Sequence, residues 1–182
     1  MYLRDRTNLF SDNIKVLHFA PEYIFQKILL SLPNLDYISA DLDSSLAMVK
    51  MDITNIPYED NSFDVILCSH VLENVMNDQK AMKNLFRILK PGGWAILQSP
   101  IDYKRNKTFE DSSIALPEDR ERVFGQRDQV RIYGLDYKER LEKEGFTVKV
   151  DSYVKELKLD IIQKYGLMKE EDIYFCTKPK ND

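Results

Sequence analysis

The sequence predicts an α/β protein built on a mostly parallel sheet, and three observations carry that reading. Short apolar runs bounded by turn residues recur along the chain, as in Phe63–Cys68 and Trp94–Leu97, which suits strands buried on both faces. Between those two runs, the segment after Asn77 and Asp78 places Ala81, Leu85, Ile88 and Leu89 on one face, the pattern of an amphipathic helix. Either Asn77 or Asp78 can accept backbone N–H bonds as its N-cap. Pro91, Gly92 and Gly93 then stop the helix, because proline cannot continue the hydrogen-bond ladder and glycine accepts positive φ. Strand, helix and strand in succession make a right-handed parallel crossover.

The other elements follow in order. KVLHFA (15–20) is the first buried strand, and Pro21 and Glu22 open a helix through YIFQKILLSL, where proline near the first turn costs no hydrogen bond. Pro33 and Asn34 end it. DYISAD (36–41) is the second strand, SSLAMVK (44–50) is a turn with at most one helical turn, and Met51–Ile53 is a short third strand. Residues 63–69 and 93–99 are the fourth and fifth strands. Leu135–Glu144 forms a helix with Asp136 as its cap and Gly145 just beyond its end. FTVKVDSYV (146–154) and DIYFCTKP (172–179) are two final strands that pair antiparallel, giving seven strands with one reversed at the edge. The long excursion is 101–134: its charge density says surface, while Ile114, Leu116, Val123, Phe124, Ile132 and Tyr133 say that it packs on something.

With 182 residues, 43% hydrophobic and 31% charged, the chain fits one domain spanning residues 1–182. A formal net charge of −4 provides no overall basic field, so neither nucleic acid nor a membrane is an expected partner. Cys68 and Cys176 each sit inside an apolar run rather than in a CxxC pair, which indicates buried thiols and neither a metal site nor a disulfide framework. No apolar signal core opens the chain and no window approaches the ~20 apolar residues that span a bilayer, so a cytoplasmic location is expected.

DITNIPY (52–58), SFDVILCSHVLENV (62–75) and RILKPGG (87–93) resemble the class I S-adenosylmethionine (SAM) dependent methyltransferases of the small-molecule type. VLHFAPE (16–22), the segment 124–146 and IYFCTKP (173–179) are similar to a bacterial subgroup of these proteins, so the resemblance covers nearly the whole chain from Lys15. It implies a Rossmann-like, seven-stranded, mostly parallel sheet with a C-terminal antiparallel hairpin and helices on both faces. It also implies SAM as cofactor and methyl transfer to a small polar acceptor through oxygen, nitrogen or carbon. Some members of the subgroup carry an extra N-terminal segment with cysteine pairs suggestive of a zinc ribbon, and the residues here begin too late to contain one.

In an open parallel sheet, ligands bind beyond the carboxyl ends of strands where the winding direction changes. That rule gathers the residues from His18 to Glu22, together with Asp41, Asp52, Ser69 and His70, in one crevice between the first and fourth strands. Asp41 lies 21 residues after Ala20, a spacing at which a carboxylate accepts from both ribose hydroxyls; alternatively Asp41 or Asp43 caps the next turn with Ser44. By match to the family motif, Asp52 accepts the adenine amino proton, the N–H of Ile53 reaches the ring, and Leu42 packs on the adenine face. The first loop departs from the family's usual glycine-rich turn: Phe19, Ala20, Pro21 and Glu22 include no glycine, although the subgroup shares this form. The following helix N-terminus can receive the carboxylate of SAM, with Glu22 either holding the ammonium or favouring the helix dipole.

Methyl transfer draws mostly on proximity and orientation, and a base is needed only if the acceptor loses a proton. His70 is the candidate, with Glu73 to orient it; the alternative is a pocket histidine without a proton-transfer role. His18 reads as a core histidine. The family pattern often has histidine where Asn74 stands, and the subgroup often has one at Gln129. For the acceptor, Asp102 and Tyr103 after the fifth strand and Arg131 and Tyr133 returning from the excursion are the candidates, unless Arg131 is a structural clamp on Glu110 or Asp111. No metal site is indicated and the oligomeric state is unreadable. A second reading is a methyltransferase-fold protein that binds SAM weakly or not at all and works as a partner or regulatory subunit. A nicotinamide oxidoreductase would share Asp41 but leaves DITNIPY and the final hairpin unexplained.

Overall fold

In the computed structural model, which describes residues 1–180, five strands run parallel: β1 (Ile14–Phe19), β2 (Leu35–Asp41), β3 (Val49–Lys50), β4 (Phe63–Ser69) and β5 (Leu89–Gln98). A separate antiparallel ribbon of β6 (Phe109–Glu110) and β7 (Arg131–Ile132) belongs to the long excursion. The main sheet is completed by β8 (Thr147–Asp151) and β9 (Ile173–Thr177), in the order β3-β2-β1-β4-β5-β9-β8. β9 is antiparallel to both neighbours. The reversed strand therefore lies one position in from the edge rather than at it, in the gap left when the chain crosses from β5 to β8.

Alternation along the strands builds two cores. Leu17 and Phe19 of β1, Ile66 and Cys68 of β4, and Ala95 and Leu97 of β5 face one side. There they meet Ala81, Met82, Leu85 and Ile88 of α3 (Asp78–Ile88) and Tyr137 and Leu141 of α5 (Tyr137–Lys143). Val16, Val65, Leu67 and Trp94 face the other side, against Phe25 and Leu29 of α2 (Tyr23–Leu30) and Leu3 of α1 (Tyr2–Arg6). Each fully buried side chain of this size contributes about 1.5–3 kcal/mol relative to exposure. Asn77 is the N-cap of α3, its side chain accepting from the Lys80 N–H at 2.9 Å. Gly145 follows α5 with φ 107°.

The structure differs from the sequence reading where local periodicity was short. β3 is Val49–Lys50, and Met51 and Ile53 are buried in the turn that follows it. The strand expected over 146–154 ends at Asp151, and the chain turns into α6 (Tyr153–Glu156) and α7 (Leu159–Tyr165) before β9. α1, α6 and α7 have seven residues or fewer, too few to show a face in the sequence. The excursion does pack: besides its ribbon it contains α4 (Pro117–Phe124), and Tyr133 is fully buried beside Tyr137, their rings 4.4 Å apart.

Candidate functional site

From β1 the sheet winds toward β2 on one side and β4 on the other, so the crevice rule places a site beyond Phe19 and Ser69. A cavity of about 640 Å³ opens there. Its wall takes Phe19 and Ala20 from the end of β1, Asp41 and Leu42 from the end of β2, and Asp52 and Ile53 from the turn after β3. His70, Asn74 and Asp128 close it. The size lies within the ~300–1,000 Å³ range of small-molecule sites.

Two strand ends carry strained backbone into this cavity. Ala20 has φ 49° and His70 has φ 56°, the left-handed region that favours glycine. Both are fixed by backbone bonds, from Ala20 N–H to the Ala40 carbonyl and from His70 N–H to the Gln98 carbonyl, each at 2.9 Å. A loop without glycine thus adopts a glycine-like turn, with one methyl group where glycine would leave space.

Asp41 performs the capping anticipated as its alternative role: Oδ1 accepts from the N–H groups of Asp43 at 2.8 Å and Ser44 at 2.7 Å. Oδ2 makes no hydrogen bond among the described residues. Asp52 is arranged similarly, its Oδ1 accepting from Thr54 N–H at 2.7 Å. Asp43 lies 3.3 Å from the Lys50 ammonium. Asp41, Asp43, Asp52 and Asp128 make the cavity acidic, opposite in sign to a sulfonium.

His70 stands at the mouth with Nδ1 3.4 Å from Glu73 Oε1. Glu73 is 3% exposed, and its Oε2 accepts from the Ser99 hydroxyl at 2.9 Å, which fixes the carboxylate. Hydrogen bonding to Glu73 holds the His70 imidazole above its ordinary value. Asn74 donates to the His70 carbonyl at 3.3 Å, and its Oδ1 is buried without a partner among the described residues. An orphaned acceptor in the wall of a cavity is costly unless a ligand donates to it.

Three expected cofactor residues lie elsewhere. Pro21 is buried behind the turn, and Glu22 and Ser69 face a second cavity on the opposite side of the sheet. Glu22 is the N-cap of α2 but makes no side-chain cap bond; its carboxylate lies 3.5 Å from Nε2 of the buried His18, whose hydrogen bond lowers the Glu22 carboxyl. His18 is a core histidine, its Nδ1 2.8 Å from the Tyr37 hydroxyl.

The acceptor residues expected from the excursion require correction. Arg131 is 2% exposed and donates to the carbonyls of Leu72 at 2.7 Å, Val75 at 2.6 Å and Met76 at 3.0 Å, and to Glu110 at 3.0 Å. It is the clamp. Tyr133 is wholly buried and donates to Asp78 Oδ2 at 2.7 Å. Asp102 closes a turn on Arg105 at 3.0 Å, and the Tyr103 hydroxyl accepts from the Asp172 N–H at 3.2 Å. The excursion folds against the start of α3, so none of the four lines the crevice. Sequence reasoning missed Asp128 and treated Asn74 only as a departure from the family pattern. Asp128 lies beside Gln129 in the segment 124–146, but nothing local shows that this segment returns to the cavity.

Comparison with known proteins agrees with this fold. Residues 27–97 match the family described as Methyltransferase domain. The structure superposes on the cyclase SpnF with TM-score 0.67 at 15% identity, covering 98% of this chain and 80% of that one. It superposes on an S-adenosylmethionine dependent methyltransferase from Mesorhizobium loti with TM-score 0.63 at 11% identity, covering 92% and 91%. The chain has the class I methyltransferase fold. The methyl donor of that fold class is SAM. Among curated proteins, this methyltransferase-like chain is 34% identical over 65 residues to the ubiquinone/menaquinone biosynthesis C-methyltransferase UbiE of Idiomarina loihiensis, 34% of this chain and 26% of that protein. It is 38% identical over 55 residues to the demethylmenaquinone methyltransferase of Clavibacter sepedonicus, 30% of this chain and 22% of that protein. The chain therefore spans about a quarter of the length of the curated relatives it matches.

Proposed function

We propose that this chain is a SAM-dependent methyltransferase acting on a small molecule, with SAM held in the 640 Å³ cavity beyond β1 and β4. One observation carries the reading: a topological switch point, a left-handed turn at Ala20 and an acid-lined wall coincide at one cavity. Asp41 Oδ2 accepts from the ribose, Asp52 Oδ2 from the adenine amino group, and the Ile53 N–H meets the ring that Leu42 covers. The unfilled acceptor of Asn74 takes a further donor.

Bound there, SAM would supply a methyl group on a positive sulfonium, with S-adenosylhomocysteine as the group that leaves. The residues of the chain orient the two partners and exclude water. Where the acceptor has a proton to lose, Nε2 of His70 takes it, with Nδ1–H directed at Glu73. The names of the curated relatives make carbon the first accepting atom to test. A single domain and a cytoplasmic location belong to the same proposal.

Calorimetric titration with SAM and S-adenosylhomocysteine tests it. Micromolar binding that Asp41→Ala weakens at least tenfold supports the cofactor assignment. No binding by well-folded protein overturns it and favours a methyltransferase-fold partner subunit, for which the methyl group of Ala20 in the glycine position would be the cause.

A further inference from the structure

The second cavity, about 340 Å³, lies on the opposite side of the sheet from the cofactor cavity, and residues adjacent in the chain at the strand tips divide between the two. β1 sends Phe19 and Ala20 to one and His18 to the other; β4 sends His70 to one and Ser69 to the other. Its walls are apolar, with Leu3, Phe25, Ile96, Val154, Leu167 and Ile173 facing inward. Besides Ser69 and the side chains of Tyr2, Gln98 and Tyr153, which are bonded to the roof and to the return into β9, its polar groups are Glu22, Glu171 and the ring of His18. Glu22 and Glu171 lie close enough to His70 for both charges to act on its imidazole, so the acidic end of this cavity abuts the mouth of the cofactor site.

The cavity is built rather than incidental. Its roof is α1 and the segment between β8 and β9, held together by hydrogen bonds from Tyr153 to Asp5 and from Arg6 to Glu156, and by Tyr2 to Asp151 at 3.4 Å. The return to β9 is fixed by Gln98 donating to the Asp172 carbonyl at 2.9 Å and by Ser152 donating to its carboxylate at 2.5 Å. The long excursion, by contrast, has its Arg131 and Tyr133 spent on the start of α3.

We propose that this second cavity binds the methyl acceptor, and that the acceptor has an apolar ring or short chain ending in a hydroxyl or amine that donates to Glu22 and Glu171. The inference rests on the methyltransferase reading for the word acceptor, but the ligand chemistry stands on the cavity alone. Carboxylates at one end of an apolar pocket reward a hydrogen-bond donor and repel an anion, which fixes orientation as well as affinity.

Three naphthalene probes that share a body and differ in the head test it by fluorescence titration: 2-naphthol, 2-naphthylmethylamine and 2-naphthoate. The naphthol and the amine should bind, and naphthoate at least about tenfold more weakly. Leu167→Trp, which fills the cavity, should weaken both binders by at least about tenfold while SAM affinity changes less than about twofold. Asp41→Ala should do the converse. Glu171→Lys, on a partly exposed side chain, should turn the preference toward naphthoate even if the tryptophan variant folds poorly. Equal binding of all three heads, or binding indifferent to both Leu167→Trp and Glu171→Lys, overturns the proposal. Probe binding without any SAM binding would retain this ligand site and reject the enzyme reading, so the two failures are distinct.

Discussion

Replacing Ala20 by glycine should make the protein more stable, although glycine usually has the opposite effect. At φ 49° an alanine carries the steric cost of the left-handed region, about 1–2 kcal/mol. Glycine removes that cost but adds conformational freedom to the unfolded chain, about 0.4–1 kcal/mol. The difference leaves a net gain of about 0.8 kcal/mol, or a rise in Tm of about 2–3 °C for a chain of this length. Urea unfolding and differential scanning calorimetry measure both quantities. The same substitution removes the methyl group at the cavity wall, so SAM affinity should rise in the same protein. Ala20→Val supplies the opposite arm, because a β-branched residue at positive φ is a backbone outlier and should lower stability and SAM binding together. A less stable glycine variant would refute the reasoning, since it would mean that Ala20 does not hold the left-handed turn in solution.

Other perturbations test separate parts of the structure. The Glu73 bond raises His70, so folding favours the protonated ring; that stabilisation is complete below pH ~6.5 and fades as pH rises through the higher folded value. Base catalysis needs the neutral ring, so kcat/KM should rise over the same interval. Glu73→Gln should move that rise to lower pH, and an unshifted profile would exclude His70 as the base. Arg131→Met takes the donor from three carbonyls while Arg140 still holds Asp78 at 2.8 Å, and urea unfolding should show a loss of about 1–3 kcal/mol. Gly145→Ala places a Cβ 2.7 Å from the Phe86 ring at φ 107°; thermal unfolding should show at least about 1 kcal/mol lost.

The sheet was legible because its central strands announce themselves: runs such as Phe63–Cys68 are apolar on both faces, and Asn77 and Pro91–Gly93 bracket α3. The cavity beyond β1 and β4 was legible because Phe19, Ala20, Asp41, Asp52 and His70 all lie at or just past strand ends, where a topological rule gathers them without knowledge of side-chain direction. What failed was direction itself. Glu22 and Ser69 are as close in sequence to the crevice as Ala20 and His70, yet Ser69 shares the face of Leu67 by strand alternation and Glu22, at the start of α2, lies beside His18 on that same face. The residues expected from the excursion lie away from the crevice for a related reason. Arg131 and Tyr133 have the chemistry of ligand contacts, and only the packing of the excursion on α3 shows those groups already satisfied. The apolar cavity draws on α1 and α6, whose four or five residues leave no periodic trace.

The position of β9 bears on how the chain reaches this state. Residues 173–177 come last among the strands, yet they lie inside the sheet, between β5 and β8. During synthesis β8 therefore emerges with no strand to pair with, and β5 shows an open edge at Trp94–Ile96 until β9 arrives. An exposed apolar edge invites pairing with other chains. Conditions that delay or remove the β9 segment should produce aggregation rather than a smaller soluble core, and the roof over the second cavity, strung between β8 and β9, would be the last part of the molecule to acquire its shape.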